Sequence, residues 1–381
     1  MSMFHELMMR KKEQIMYATI KGSLTENDGV FSGFSDNNYL EMQQAIPNLD
    51  VNSFLEIELK VTMPETITRQ QIVGTNNANY TNNSTYDIGF QVYDDNRLWA
   101  HIYNSTSETR NAIYLTAPSA LNGKVCYIKY TIANSRMTIS LSFDKITWVS
   151  NYYDLPTTFS YTKASRSVLG WGNGSSAFAG SIDLSNSYIK LGSTKYNLQA
   201  VVGYTIVGSP TITDGVVSGF SNSDYLKLPS FDFANSNSWK IKFAFELDNN
   251  ISDWGSIFDN SYIKSGLAFY LDNNQKVYFY GGDGTNDTFI KRSNIINANQ
   301  KYYVQVEFTG NSYILSLSTD NINWTIVNTT ESNIRLSNTI YDSSYIGYSF
   351  RYNGRALIGK IYIKECLIYK DKKLWFNGYE R

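Results

Sequence analysis

Glu56 and Glu58 stand two residues apart in Leu55–Val61, LEIELKV, a run that alternates like a β-strand. On a strand they share one face at about 7 Å, inside the window of roughly 6.5–9.5 Å that an inverting glycosidase uses. A second stretch of the chain, Trp239–Phe245, WKIKFAF, matches this one and puts Lys240 and Lys242 at the corresponding positions. A carboxylate pair replaced by lysines in a copy of itself is better read as a solvated outer strand face, so no catalytic residue is assigned. A Ser–His–Asp triad is nearly excluded by counting, because the only histidines are His5 and His101 and neither has a nucleophile motif beside it. His101 is expected to be a surface or half-buried strand residue. Cys126 and Cys366 are the only cysteines. They lack zinc-site spacing and are expected to be two buried thiols.

Binding chemistry has better candidates. Calcium takes hard oxygen ligands from loops, and Gly281–Asp287, GGDGTND, brings Asp283 and Asp287 close to several carbonyls. Asp94-Asp95-Asn96 and Asp259-Asn260 are weaker versions, and a lone Asp/Gly loop is ordinarily a turn. A glycan needs an exposed aromatic ring with amide or carboxylate groups beside it. Trp254, with Asp253, Asp283, Asn286 and Asp287, offers that set in the second half of the chain. Trp171 and Asn173, in Gly170–Gly174, offer a comparable loop in the first. Trp148 and Trp324 each follow a turn at the same place in the two halves and are assigned to hairpin packing.

These residues must be positioned by a duplicated β scaffold. Gly22–Leu40 and Gly208–Leu226 lie 186 residues apart and are identical at 12 of 19 positions, which identifies an internal repeat. The match continues with gaps: Ile139–Trp148 against Leu315–Trp324, and Phe178–Ile182 against Leu357–Ile361. The reading is a leader over residues 1–16, a first domain over 17–200 and a second over 201–381, with no Gly/Pro/Ser-rich linker between the domains. Each copy shows short alternating runs separated by turns. Phe90–Tyr103 around Asp94–Asn96, and Ala268–Tyr280 around Asp272–Asn274, read as hairpins. Tyr302–Phe308 and Tyr313–Ser318 read as another. The expected fold is all-β: two tandem antiparallel β-sandwich domains.

Composition agrees. Aromatics are 15% of the chain and charged residues 18%, and Tyr, Phe, Trp, Ile, Val and Thr favour strands. The net charge of −1 and the lack of any basic run larger than Arg10–Lys12 argue against nucleic-acid binding. No segment approaches the ~20 apolar residues of a membrane span. Charges interrupt the first residues too early for a secretory signal, so the expectation is a soluble chain not exported by that route. Ser2–Gln14 is expected to form a short N-terminal α-helix, with Met3, Phe4, Leu7 and Met8 on one face as an anchor or oligomerisation surface.

The ordering of these elements resembles the concanavalin A-like lectin/glucanase superfamily in its laminin-G-like form. Three features carry the likeness. They are the Asp-Gly-Val…Ser-Gly-Phe…Tyr-Leu openings at 28–40 and 214–226, the Ser-x-Asp-x-x-x-Trp hairpins (Ser142, Asp144, Trp148; Ser318, Asp320, Trp324), and the closing strands at Phe178–Leu184 and Leu357–Ile363. The family's Glu-x-Asp-x-x-Glu hydrolase run is missing. The resemblance implies a jelly-roll sandwich. Tandem domains of this style also resemble structural proteins of tailed bacteriophages. That implies a non-enzymatic virion protein of a fibre, tail or head decoration, contacting other virion proteins through the helix and host or bacterial surface glycans through its loops. Calcium is an open addition, and fibre proteins of this resemblance are often homotrimers. A bacterial adhesin or carbohydrate-binding protein, and a glycoside hydrolase with an unrecognised catalytic pair, are the alternatives.

Overall fold

The computed structural model describes residues 14–76, 88–162, 166–171, 176–229, 231, 236–249, 254–262, 265–285, 287–310, 312–331, 336, 343–349 and 355–378, with backbone alone at 76, 262, 287–292, 294, 330 and 331. Among them the regular structure is β-strand, with one 3-10 turn at Ile363–Glu365 and no α-helix. The helix expected over Ser2–Gln14 gains no support. Residues 1–13, with Met3, Phe4, Leu7 and Met8, lie outside the described part, and Gln14 opens the strand Gln14–Lys21. No helix among the described residues is long and apolar enough to cross a membrane.

The chain divides into two compact units, residues 1–200 and 201–381, and the division falls inside the strand Thr194–Val202. In unit 1 one sheet runs Val30–Ser32, Ser181–Leu191, Leu55–Thr62, Val125–Ala133, Arg136–Ser142, Val149–Asp154, every neighbouring pair antiparallel. The other runs Gln14–Lys21, Tyr39–Met42, Arg166–Leu169, Gln70–Asn76, Ile88–Val92, Arg97–Asn104, Thr109–Thr116, again antiparallel throughout. Residues of both sheets share one core, among them Ile57, Ile128 and Tyr130 from the first and Phe90, Leu98 and Ile102 from the second.

Unit 2 repeats this order strand for strand. Its first sheet is Val216–Ser218, Gly359–Tyr362, Trp239–Leu247, Lys301–Phe308, Ser312–Ser318, Thr325–Glu331, with Leu367–Lys370 also pairing with Trp239–Leu247. Its second is Thr205–Val207, Tyr225–Pro229, Ser343–Ile346, Gly255–Tyr262, Ser265–Leu271, Lys276–Asp283, Asp287–Ile295. Phe243 from the first sheet meets Phe258 and Phe269 from the second, with ring centroids 5.1 and 6.2 Å away. The three hairpins read from the sequence are present.

The opening motif of each copy is kept for its backbone. Asp28-Gly29 and Asp214-Gly215 are two-residue turns with both residues at positive φ, the type I′ geometry that fits strand twist and favours Asp-Gly. Gly22 and Gly208, both at φ +71, leave no room for a Cβ, which would meet the carbonyl oxygens of Asn37 and Ser223 at 2.2 and 2.1 Å. Cys126 and Cys366 are buried and unbridged, and burial pushes each thiol up to about 12.

Candidate functional site

In unit 2 the strand Trp239–Leu247 sends Trp239, Ile241, Phe243 and Phe245 into the core and leaves Lys240 and Lys242 on the outer face of its sheet. Its neighbours supply the rest by register. Lys242 lies between Leu367 and Gln305, and Lys240 between Tyr369 and Glu307. Two parallel rows of three residues therefore cross the face. The Ser318–Trp324 hairpin borders them. Asp320 Oδ1 accepts the backbone N–H groups of Ile322 and Asn323 at 2.9 and 2.8 Å, and Ser318 Oγ accepts those of Asp320 and Asn321 at 3.3 and 3.0 Å. The N–H groups of Asn323 and Ile322, the Asn323 side-chain amide and the Ser318 hydroxyl hold the Asp320 carboxyl far below the ordinary carboxylate range. Asn321 sits at φ +63, a conformation that asparagine tolerates better than most residues.

The hairpin and the sheet face border a cleft of about 660 Å³, lined by Lys240, Lys242, Gln305, Glu307, Asn321, Trp324, Tyr369 and Lys372, with the core residues Trp239 and Phe308 reaching its edge. Lys242 Nζ donates to Asn321 Oδ1 at 3.1 Å. Lys240 Nζ lies 3.7 Å from Glu307 Oε2. Burial draws the Lys242 ammonium below the usual lysine value, opposed by Cys366 and Glu365 and reinforced by Lys240. An indole beside amide, ammonium and carboxylate groups is the equipment that fixes a polar ring with an apolar face.

The corresponding face of unit 1 keeps the geometry and inverts the charges. Glu58 takes the place of Lys242, between Tyr188 and Lys129. Far from being solvated, Glu58 is 2% exposed. Lys129 Nζ lies 3.0 Å from Oε2 and Lys145 Nζ, reaching over from the hairpin, 3.3 Å from Oε1. The Tyr188 hydroxyl lies 3.0 Å from Glu58 and 2.7 Å from Glu56. Burial raises the Glu58 carboxyl, but Lys129, Tyr188 and Lys145 outweigh it and hold it below the ordinary range. Trp148 is engaged as well, with the Lys129 ammonium 4.3 Å from its ring.

Glu58→Gln is expected to destabilise unit 1 by about 1–2 kcal/mol, less than a fully buried pair because both lysines are partly exposed. A depressed carboxylate contributes above its unfolded value and loses that contribution as pH falls through its folded value. The gap between wild type and variant should therefore be full at pH 7 and narrow below about pH 4. Denaturant unfolding at several pH values checks this, and a gap that widens in acid contradicts it.

The residues singled out from the sequence are placed differently. Trp171 is 8% exposed, donates its indole N–H to the Asp36 carbonyl at 3.1 Å, packs on Tyr39 and carries the Arg166 guanidinium 4.6 Å from its ring. It is edge cover, not a ring open to a sugar, and Asn173 lies outside the described residues. Trp254 is half-buried on the second sheet of unit 2, 4.8 Å from Tyr278 and 6.4 Å from Tyr270. Asp283 is five residues beyond Tyr278 on the same strand, about 16 Å away by strand rise, so ring and carboxylate do not converge. Asp283 Oδ1 accepts the Thr285 N–H at 2.8 Å, an ordinary turn bond. Asp253, Asn286 and the side chain of Asp287 are outside the described residues. Among the described residues no three His, Cys, Asp or Glu side chains are grouped to hold a metal ion. Asp259 is buried, and its carboxyl, raised by that burial, accepts from the hydroxyls of Ser261 and Ser349. His101 is fully buried, its ring 4.4 Å from that of Trp99, where a surface or half-buried position was expected.

The site that sequence reasoning passed over is Trp324 with Lys240 and Lys242. The signal in the sequence is the exchange of Glu56 and Glu58 for lysines, a pattern that by itself reads as solvation on both copies.

No protein family matches the chain, and no curated protein sequence matches it. Among solved structures its neighbours include domains LG4-5 of the mouse laminin alpha1 chain, at 12% identity over 97% of this chain and 96% of that one, TM-score 0.34. They also include a native heptameric SAP-like pentraxin from Limulus polyphemus, at 12% identity over 46% and 79%, TM-score 0.27. A third is the Ca2+-bound exoplasmic/lumenal domain of VIP36, at 12% identity over 44% and 83%, TM-score 0.29. At these identities and scores no residue role and no ligand passes to this chain.

Proposed function

We propose that this chain is a non-enzymatic carbohydrate-binding protein and that the outer-face cleft of unit 2 is where it binds. The observation that carries the reading is the meeting of Trp324 with Lys240, Lys242, Gln305 and Glu307 around a cleft of about 660 Å³, large enough for two or three sugar rings at a few hundred Å³ per small ligand site. An indole supplies the apolar platform, and the lysines, amide and carboxylate supply donors and acceptors for hydroxyls. The same face of unit 1 spends its polar groups on one another, which supports unit 1 as a spacer and unit 2 as the contact.

The setting that best suits a tandem binding sandwich of this kind is a virion: a tail, fibre or head-decoration protein of a tailed bacteriophage whose second unit touches host glycans. The likeness of its sequence organisation to such proteins supports this reading. The intact protein on an array of glycans and bacterial surface polysaccharides, with and without calcium, is expected to bind a subset saturably and without calcium dependence. Silence across the array contradicts the binding role. Detection of the chain by mass spectrometry in purified phage particles from a host that encodes it tests the setting separately.

A further inference from the structure

We propose that the cleft of unit 2 selects anionic saccharides, those carrying a carboxylate or sulfate, with Lys242 as the residue that reads the charge. This rests on the cleft being a glycan site and goes further by naming the chemical class.

The charges lining the cleft do not balance: Lys240, Lys242 and Lys372 face a single carboxylate, Glu307. Glu307 lies beside Lys240. Lys242, at the middle of the face, is held by the neutral amide oxygen of Asn321, and among the described residues no carboxylate lies within ion-pair distance of it. A partly buried ammonium held by a neutral acceptor favours an incoming anion over a hydroxyl, because the anion replaces lost hydration with a charge-assisted hydrogen bond. Among the described residues the lining holds no arginine, which fits a point-charge contact rather than a planar two-pronged one.

Unit 1 shows what the same face looks like once neutralised from within. There the middle position is Glu58, and Lys129 and Lys145 lie against it. The hairpin residue that contributes Lys145 in unit 1 is Asn321 in unit 2, so the duplicated scaffold holds a closed ion network in one copy and, in the other, a cation that feels Glu365 only at longer range and has no ion pair among the described residues.

The test uses the full chain against polygalacturonate, hyaluronate and heparan sulfate, each beside its carboxyl-reduced or desulfated counterpart, by calorimetry at two salt concentrations. The expected result is at least one anionic form bound tenfold or more tighter than its neutral partner. That preference should shrink at higher salt and vanish in Lys242→Gln, whose thermal midpoint stays that of wild type. Which member responds separates carboxylate from sulfate. Equal binding of anionic and neutral partners overturns the anionic class and leaves the glycan cleft standing. No binding by any member, together with silence on the glycan array, overturns both.

Discussion

Trp324→Ala in the full chain is expected to weaken glycan binding by about 30-fold or more, while Trp148→Ala leaves it unchanged. Buried aromatic anchors at binding sites commonly carry about 2 kcal/mol or more, and each 1.4 kcal/mol is about a factor of ten in affinity. The two tryptophans close the same hairpin in the two copies, so each variant controls for the other. Trp148 has the Lys129 ammonium against its ring, on a face whose charged groups are already paired. Trp324 borders a cleft. The Ser318–Asp320 and Ser142–Asp144 turn bonds do not involve the indoles, so each hairpin should keep its form in its variant. Equal losses in the two variants, or none in either, contradict the assignment of binding to unit 2.

Phe243→Ala is expected to remove about 3–5 kcal/mol from the stability of unit 2, the usual cost of deleting a fully buried aromatic ring. Phe243 is 0% exposed and is the ring through which one sheet of unit 2 meets Phe258 and Phe269 of the other. It stands between Lys242 and Ala244 on the strand that carries two of the three cleft lysines, Lys240 and Lys242. Loosening it should therefore raise hydrogen exchange along 239–247 and weaken ligand binding together. Exchange within residues 14–200 should stay at the wild-type level, since that unit has its own core. A loss under 1 kcal/mol, or exchange rising equally in both units, contradicts this account of the packing.

The repeat was legible because its strongest stretch is constrained by backbone rather than by ligand. Gly22 and Gly208 cannot carry a Cβ, and Asp28-Gly29 and Asp214-Gly215 need positive φ. Such positions resist change in any copy and so stand out in one sequence. Strand runs were legible for the reason that alternation follows burial, as in Trp239–Leu247. The site was not legible in the same way. Exposed aromatics cannot be told from buried ones by type, and Trp171 turned out to be wedged under Arg166 while Trp324 borders the cleft. Nor does a sequence show that Lys145 folds back onto Glu58, a contact between residues 87 apart that depends on how the hairpin lies over the sheet. Glu58 in isolation reads as a surface charge; only its neighbours across three strands make it a buried one.

The most direct test of the central claim is a crystal structure of the full chain with the tightest ligand from the array. The expected result is a sugar ring against the Trp324 indole, with an oxygen of the ligand within hydrogen-bond distance of Lys242 Nζ. A ligand seated instead on Trp254, on Trp171 or on the Glu58 face of unit 1 would contradict it.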